Sequence, residues 1–221
     1  MPSNHIIIYV TGYLSFFGLL WLSKRYNGKR LFDEKGPINR SVLLLLHLAG
    51  ILLFGMVCFT FSGEPVLQIV VGPDTPSFML LIVTGSLMIA AIILAIAAAA
   101  RKPVRLTDGP FDRFFLINYF IMRILFLCVY EMWFRGYFLT DCINSLGTPL
   151  AILLNIGLYC LLHILNGKQE VNACIPIGLV FCCLCIWEGA AWPAIVLHVV
   201  MAITYEIYLV KKINKPSISF I

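Results

Sequence analysis

Residues 78–100, FMLLIVTGSLMIAAIILAIAAAA, carry no ionisable side chain. At ~1.5 Å per residue, a helix of that length covers the ~30 Å of hydrocarbon in a bilayer. Comparable apolar runs recur at about 6–23, 41–61, 114–140, 149–165, 172–188 and 191–210. The pattern predicts an all-α, polytopic membrane bundle of about seven transmembrane helices. Composition agrees: 61% of residues are hydrophobic and 12% charged, against ~25% charged in soluble domains. So few charges cannot cover a water-facing surface. No basic region precedes the first run and no small-residue cleavage site follows it, so it reads as a span and not as a cleaved signal peptide.

The connections alternate in charge. Lys24, Arg25, Lys29, Arg30, Lys35 and Arg40 fill the first, while 62–77 offers only Glu64 and Asp74. Arg101, Lys102, Arg105 and Arg113 fill the third, and 141–148 offers only Asp141. Lys168 then follows, the turn near 189–191 has no base, and Lys211, Lys212 and Lys215 close the chain. By the positive-inside rule the N-terminus is expected outside and the C-terminus cytoplasmic. The net charge of +5 is therefore a topology signal and gives no support to a nucleic-acid partner. Pro103, Gly109 and Pro110 punctuate the chain before the fourth span, which divides it into scaffold helices over 1–112 and a core of about four spans over 113–221. The AIAAAA run at 95–100 ends a helix with small residues that allow close approach of a neighbouring helix.

Eight cysteines, Cys58, Cys128, Cys142, Cys160, Cys174, Cys182, Cys183 and Cys185, lie within or at the edges of apolar runs and read as small packing residues. Cys182 and Cys185 form a CxxC, which leaves a redox or metal pair as the alternative.

A charged group at the centre of a bilayer costs ~2.5–3.5 kcal/mol on insertion scales, so it needs a partner or a task. In the first half only His47 needs explaining, and it reads as a neutral imidazole bonded to a neighbouring helix. In the second half the fourth run carries Arg123, Glu131 and Arg135, the fifth Asn155 and His163, and the seventh His198 and Glu206, while the sixth contributes none inside. Glu131 and Arg135 are four apart and would meet on one helix face, as a self-neutralising ion pair or as part of a site. His163 and His198 are each open to the same two readings. Counted from the outer turns, Glu131 lies ~15 Å deep, His163 ~22 Å and His198 ~12 Å, so with run edges that shift by several residues the three can share one buried level. A carboxylate with an imidazole can take a proton from water attacking a carbonyl, and a second imidazole can steady the oxyanion. One Glu and two His could also ligate zinc, although no HExxH or similarly tight spacing occurs. Glu206, spaced four and eight from Ala202 and His198, either joins that stripe or pairs with Arg123.

At these residues the chain resembles the type II CAAX prenyl endopeptidases and bacteriocin-processing proteases, the CPBP or Abi family. Its first motif, EExxxR followed by Gly, stands here as Tyr130-Glu131-Met132-Trp133-Phe134-Arg135-Gly136. The second, FxxxH, is Tyr159-Cys160-Leu161-Leu162-His163, and the third, HxxxN or HxxxD, is His198-Val199-Val200-Met201-Ala202. The approach AAWPAIVLH to the last motif is also similar. The resemblance implies an intramembrane endopeptidase without a metal or other cofactor. It also implies a membrane-embedded or membrane-anchored peptide or protein substrate, and a bacterial cytoplasmic membrane as location. In the family the first Glu and the second-motif His activate water, and the third-motif His and Asn form the oxyanion site. Carried over, the site residues are Glu131, Arg135, His163 and His198, with Tyr130 standing where the family has its first Glu and Ala202 where it has Asn. A phenol is a poor base near neutral pH, and Glu131 projects ~100° away from Tyr130.

Two functions compete on this basis. One is a peptidase using Glu131 and His163 on water, with His198 at the oxyanion. The other is a catalytically inactive relative that binds a membrane partner, as in bacteriocin immunity. A transporter is disfavoured because no inverted repeat or matched pair of broken helices is present.

Overall fold

The computed structural model describes residues 3–26, 28, 30–32, 38–60, 66–72, 75–103 and 111–214. Lys29, Lys35, Glu64, Asp74, Arg105, Lys215 and the side chain of Cys58 lie outside the described residues.

Every regular element among the described residues is helical. The chain forms α1 (Ser3–Arg25), α2 (Arg40–Thr60), the short α3 (Val66–Val71), α4 (Phe78–Arg101) and α5 (Arg113–Glu131). A π-helical stretch (Met132–Phe138) leads into α6 (Leu139–Leu146), followed by α7 (Thr148–His163), a 3-10 turn (Ile164–Asn166), α8 (Lys168–Glu188) and α9 (Trp192–Asn214). Local chemistry fixes the ends. Ser77 Oγ accepts from Leu80 N at 3.2 Å to start α4, and Asp112 Oδ2 accepts from Phe115 N at 3.1 Å to start α5. Gly189, with φ of 70°, ends α8 in the left-handed region.

Six helices are long and apolar enough to cross a membrane: His5–Arg25, Phe78–Arg101, Arg113–Leu146, Thr148–Asn166, Lys168–Glu188 and Trp192–Ile213. The run expected to be the second span forms α2, whose described apolar stretch, Arg40–Met56, is shorter. Two other boundaries differ from expectation. The connection 62–77 contains α3, and the fourth span continues to Leu146, so Asp141 belongs to a helix and not to a loop. Asp141 is tolerated there because Tyr9 Oη donates to its Oδ2 at 2.9 Å and His5 Nδ1 lies 2.9 Å from the same oxygen.

Large apolar side chains such as Leu14, Phe78, Leu94 and Leu153 face outward, the inverse of a water-soluble surface and the arrangement lipid requires. Inside, α1 and α2 wrap aromatic side chains around the π-helical stretch. Phe54 lies 5.3 Å, ring to ring, from fully buried Trp133, which stacks on Phe138 at 5.2 Å and 13°. On the other side of the bundle α4 packs along α9, with Ala95 and Ala99 buried between them, as the small-residue run led one to expect.

The basic helix ends gather at one end of the bundle. Lys212 Nζ donates to Ala100 O and Lys102 O at 2.9 Å each, closing the last turn of α4. Lys24 Nζ donates to Leu165 O at 3.0 Å, and Arg40 lies over the rings of Phe111 and Phe115.

Candidate active site

The first-motif segment enters the site through an irregular helix. Leu139 N–H donates to Phe134 O, five residues back, where an α-helix would reach four. Such widened turns occur mostly as single interruptions of α-helices, often at functional sites. Two contacts hold this one. Asn155 Nδ2 of α7, fully buried, donates to Phe134 O at 2.6 Å, and Cys182 Sγ of α8 in turn reaches Asn155 Oδ1 at 3.4 Å. Gly136 lets α3 come close: a Cβ there would stand 2.5 Å from Ile69 Cγ2.

Glu131 and Arg135 form the expected ion pair, with Oε2 and Nη1 3.0 Å apart and both side chains removed from solvent. Burying two charges is costly unless their geometry and neighbours compensate. Here the guanidinium carbon lies 4.4 Å from the Tyr159 ring centroid, 5.3 Å from Phe134 and 5.5 Å from Phe181, so ring faces surround the cation.

The second carboxylate oxygen goes to α9. Glu131 Oε1 is 2.5 Å from His198 Nδ1. An ionised carboxylate can only accept, so Nδ1 carries the proton and Nε2 of a neutral ring keeps its lone pair. Glu131, Arg135 and His198 are thus brought together.

His163 is not bonded to Glu131. Its Nδ1 lies 3.2 Å from Asn166 Nδ2 and 3.6 Å from Glu170 Oε2, and Glu170 Oε1 meets Arg30 Nη2 at 2.7 Å. Tyr159 stands between the two imidazoles, with ring centroids 4.9 Å from His163 and 6.4 Å from His198. Both histidines line one cavity of about 890 Å³, together with Tyr130, Tyr159, Glu170 and Ala202. That volume is in the range of small-molecule and cofactor sites. Glu131 and Arg135 are not among its lining residues.

The remaining polar residues have simpler partners. Glu206 Oε1 lies 3.2 Å from Arg123 Nε, the pairing considered from the sequence. His47 Nδ1 donates to Leu43 O at 2.8 Å, so it bonds its own helix and not a neighbouring one. Cys182 and Cys185 are both free thiols; Cys185 Sγ is directed at Ala191 O at 4.0 Å. The described residues contain no group of three or more His, Cys, Asp or Glu that could hold a metal ion.

Sequence reasoning missed Glu170, Asn166 and Arg30. The sixth run begins at about 172, so Glu170 fell outside it, but α8 starts at Lys168 and turns Glu170 toward His163. The spacing of Asn166 and Glu170, three and seven residues beyond His163, was the available signal.

Residues 112–204 match the family model described as "Type II CAAX prenyl endopeptidase Rce1-like". No curated protein and no solved structure matches the chain. The matched segment contains Glu131, Arg135, His163 and His198, and its helices are among those long and apolar enough to cross a membrane. The segment 112–204 therefore belongs to the CAAX-protease-like family of intramembrane peptidases, and the chain that carries it is an integral membrane protein.

Proposed function

We propose that this chain is an intramembrane endopeptidase in which Glu131 acts through His198 on the hydrolytic water. The observation that carries this reading is the 2.5 Å contact between Glu131 Oε1 and His198 Nδ1. A buried carboxylate on Nδ1 orients the ring, leaves Nε2 as the base and stabilises the imidazolium that forms. His163, held at Nδ1 beside Asn166 and Glu170, is the second imidazole on the cavity and acts as a donor for the substrate carbonyl oxygen. These roles reverse those implied by the resemblance, because Glu131 meets the third-motif histidine. No cofactor is invoked, since proton transfer supplies the chemistry.

The substrate is a membrane-embedded or membrane-anchored peptide or protein, which suits a mostly apolar cavity within a bundle. Residues 113–221 act as the hydrolytic core and 1–112 as its scaffold, with the basic end toward the cytoplasm of a bacterial cell. The test is cleavage of fluorogenic prenylated CAAX and leader peptides by protein in nanodiscs. Wild type is expected to cleave at least one peptide, and Glu131→Gln and His198→Ala to lose ~10²–10⁴-fold in kcat, the usual contribution of general acid–base catalysis. Equal rates in all three would overturn the reading.

A second reading, a catalytically inactive membrane-binding or immunity protein, is favoured by Tyr130 lining the cavity where the family carries its water-activating Glu. Retention of a membrane partner by Glu131→Gln, with no peptide cleaved by wild type, would select it.

A further inference from the structure

The two departures from the family pattern, Tyr130 and Ala202, face the same cavity. We propose that they compensate each other: Tyr130 is a catalytic residue whose phenol O–H binds the developing oxyanion, the donor that Ala202 lacks. The inference rests on the peptidase reading above and adds a residue to it.

The Tyr130 hydroxyl is buried and has no hydrogen-bond partner, and the residue is only 4% exposed. A buried hydroxyl left unpaired is costly, so a position used for packing alone would be served as well by phenylalanine. The ring is also held tightly, with centroids 4.6 Å from Phe134, 5.5 Å from Phe54 and 5.6 Å from Phe126. A fixed, unpaired donor on a residue that lines the cavity is the preorganisation that stabilises a transition-state charge. The proton stays available, because a phenol is un-ionised near neutral pH. His198, the proposed base, lies 6.0 Å away, ring to ring and edge-on, so the base and the phenol belong to neighbouring parts of one cavity wall.

The step balances without an added reagent. The water oxygen bonds to the carbonyl carbon as its proton passes to His198 Nε2. The carbonyl π pair moves to oxygen, where the Tyr130 O–H and a His163 N–H donate to it. When the carbonyl reforms, the C–N bond breaks and His198 returns the proton to the departing nitrogen.

The test compares wild type, Tyr130→Phe and Tyr130→Phe/Ala202→Asn in nanodiscs, reading kcat and KM on the prenylated peptide panel. A phosphinate peptide, which imitates the tetrahedral intermediate, supplies a Kd independent of turnover. Tyr130→Phe removes one unpartnered oxygen, so its unfolding temperature should be unchanged. The expected result is a fall in kcat of ~10²–10³-fold, as for loss of one oxyanion donor, with KM preserved and phosphinate affinity weakened in parallel. The asparagine at 202 should restore part of both. If wild type cleaves nothing yet binds the phosphinate through the Tyr130 hydroxyl, hydrolysis fails as the function while the oxyanion site stands. Equal kcat and equal phosphinate affinity in wild type and Tyr130→Phe overturn the inference. Failure of wild type both to cleave and to bind the phosphinate overturns it together with the peptidase reading.

Discussion

Ile69 of α3 rests on Gly136 of the π-helical stretch so closely that a Cβ at 136 would lie 2.5 Å from Ile69 Cγ2. Ala191 N donates to Ile69 O at 3.0 Å, which pins α3 where it is. Gly136→Ala should therefore destabilise the fold by ~1–3 kcal/mol, the usual cost of overpacking a filled site. Combining it with Ile69→Ala should recover most of the loss. Unfolding in mixed detergent–SDS micelles measures both.

Asn155→Ala tests the prop under the widened turn. Phe134 O would lose its side-chain donor and keep only the Leu139 N–H, at a cost of ~0.5–1.5 kcal/mol. The same unfolding assay reads the loss, and activity should fall with it because Glu131 and Arg135 flank Phe134.

Glu131→Gln should also affect stability, apart from catalysis. It leaves the Arg135 guanidinium buried without its carboxylate, and breaking a buried pair costs ~3–5 kcal/mol. Glu131→Gln/Arg135→Met should regain stability without regaining activity. Recovery of activity in the double variant would remove Glu131 from the chemistry.

The Arg30–Glu170 pair is partly exposed, so Arg30→Gln should change stability by no more than ~1 kcal/mol. Its effect should fall on His163, which faces the same carboxylate. Carbethoxylation of His163, followed by mass spectrometry, should become faster in Glu170→Gln, which removes the carboxylate, and slower in Arg30→Gln, which frees it for the imidazole, while that of His198 is unchanged. Equal rates at His163 would mean that the carboxylate does not shield the imidazole.

Activity should survive dialysis against EDTA, because the proposed mechanism needs only proton transfer by His198 and Glu131. Loss on chelation with recovery on adding zinc would require a metal in the site.

Much of this architecture is legible in the sequence because lipid imposes a simple rule: apolar runs of fixed length become helices, and ionisable residues within them need partners. Glu131–Arg135 and Arg123–Glu206 follow from that rule, and so does the packing of α4 on α9 through its alanines. The π-helical turn does not follow, because it depends on Asn155 and Ile69 arriving from other helices. Nor does the choice of His198 over His163 as the partner of Glu131. Counting along the helices allows both imidazoles one level, and the sequence does not say which of them α5 meets. α3 and Glu170 escaped notice for a different reason: both lie at the ends of apolar runs, where hydropathy is least informative.

Ala90, Ala91, Ala97 and Ala98 of α4 line the same cavity as His163 and His198. One wall of the room available to a guest is thus set by a helix remote in sequence from the residues that would act on it. Each methyl on that wall can be enlarged or exchanged without touching an imidazole, a carboxylate or the widened turn. Which molecules fit and what is done to them can therefore change independently, one by substitutions before residue 102 and the other by substitutions after residue 129.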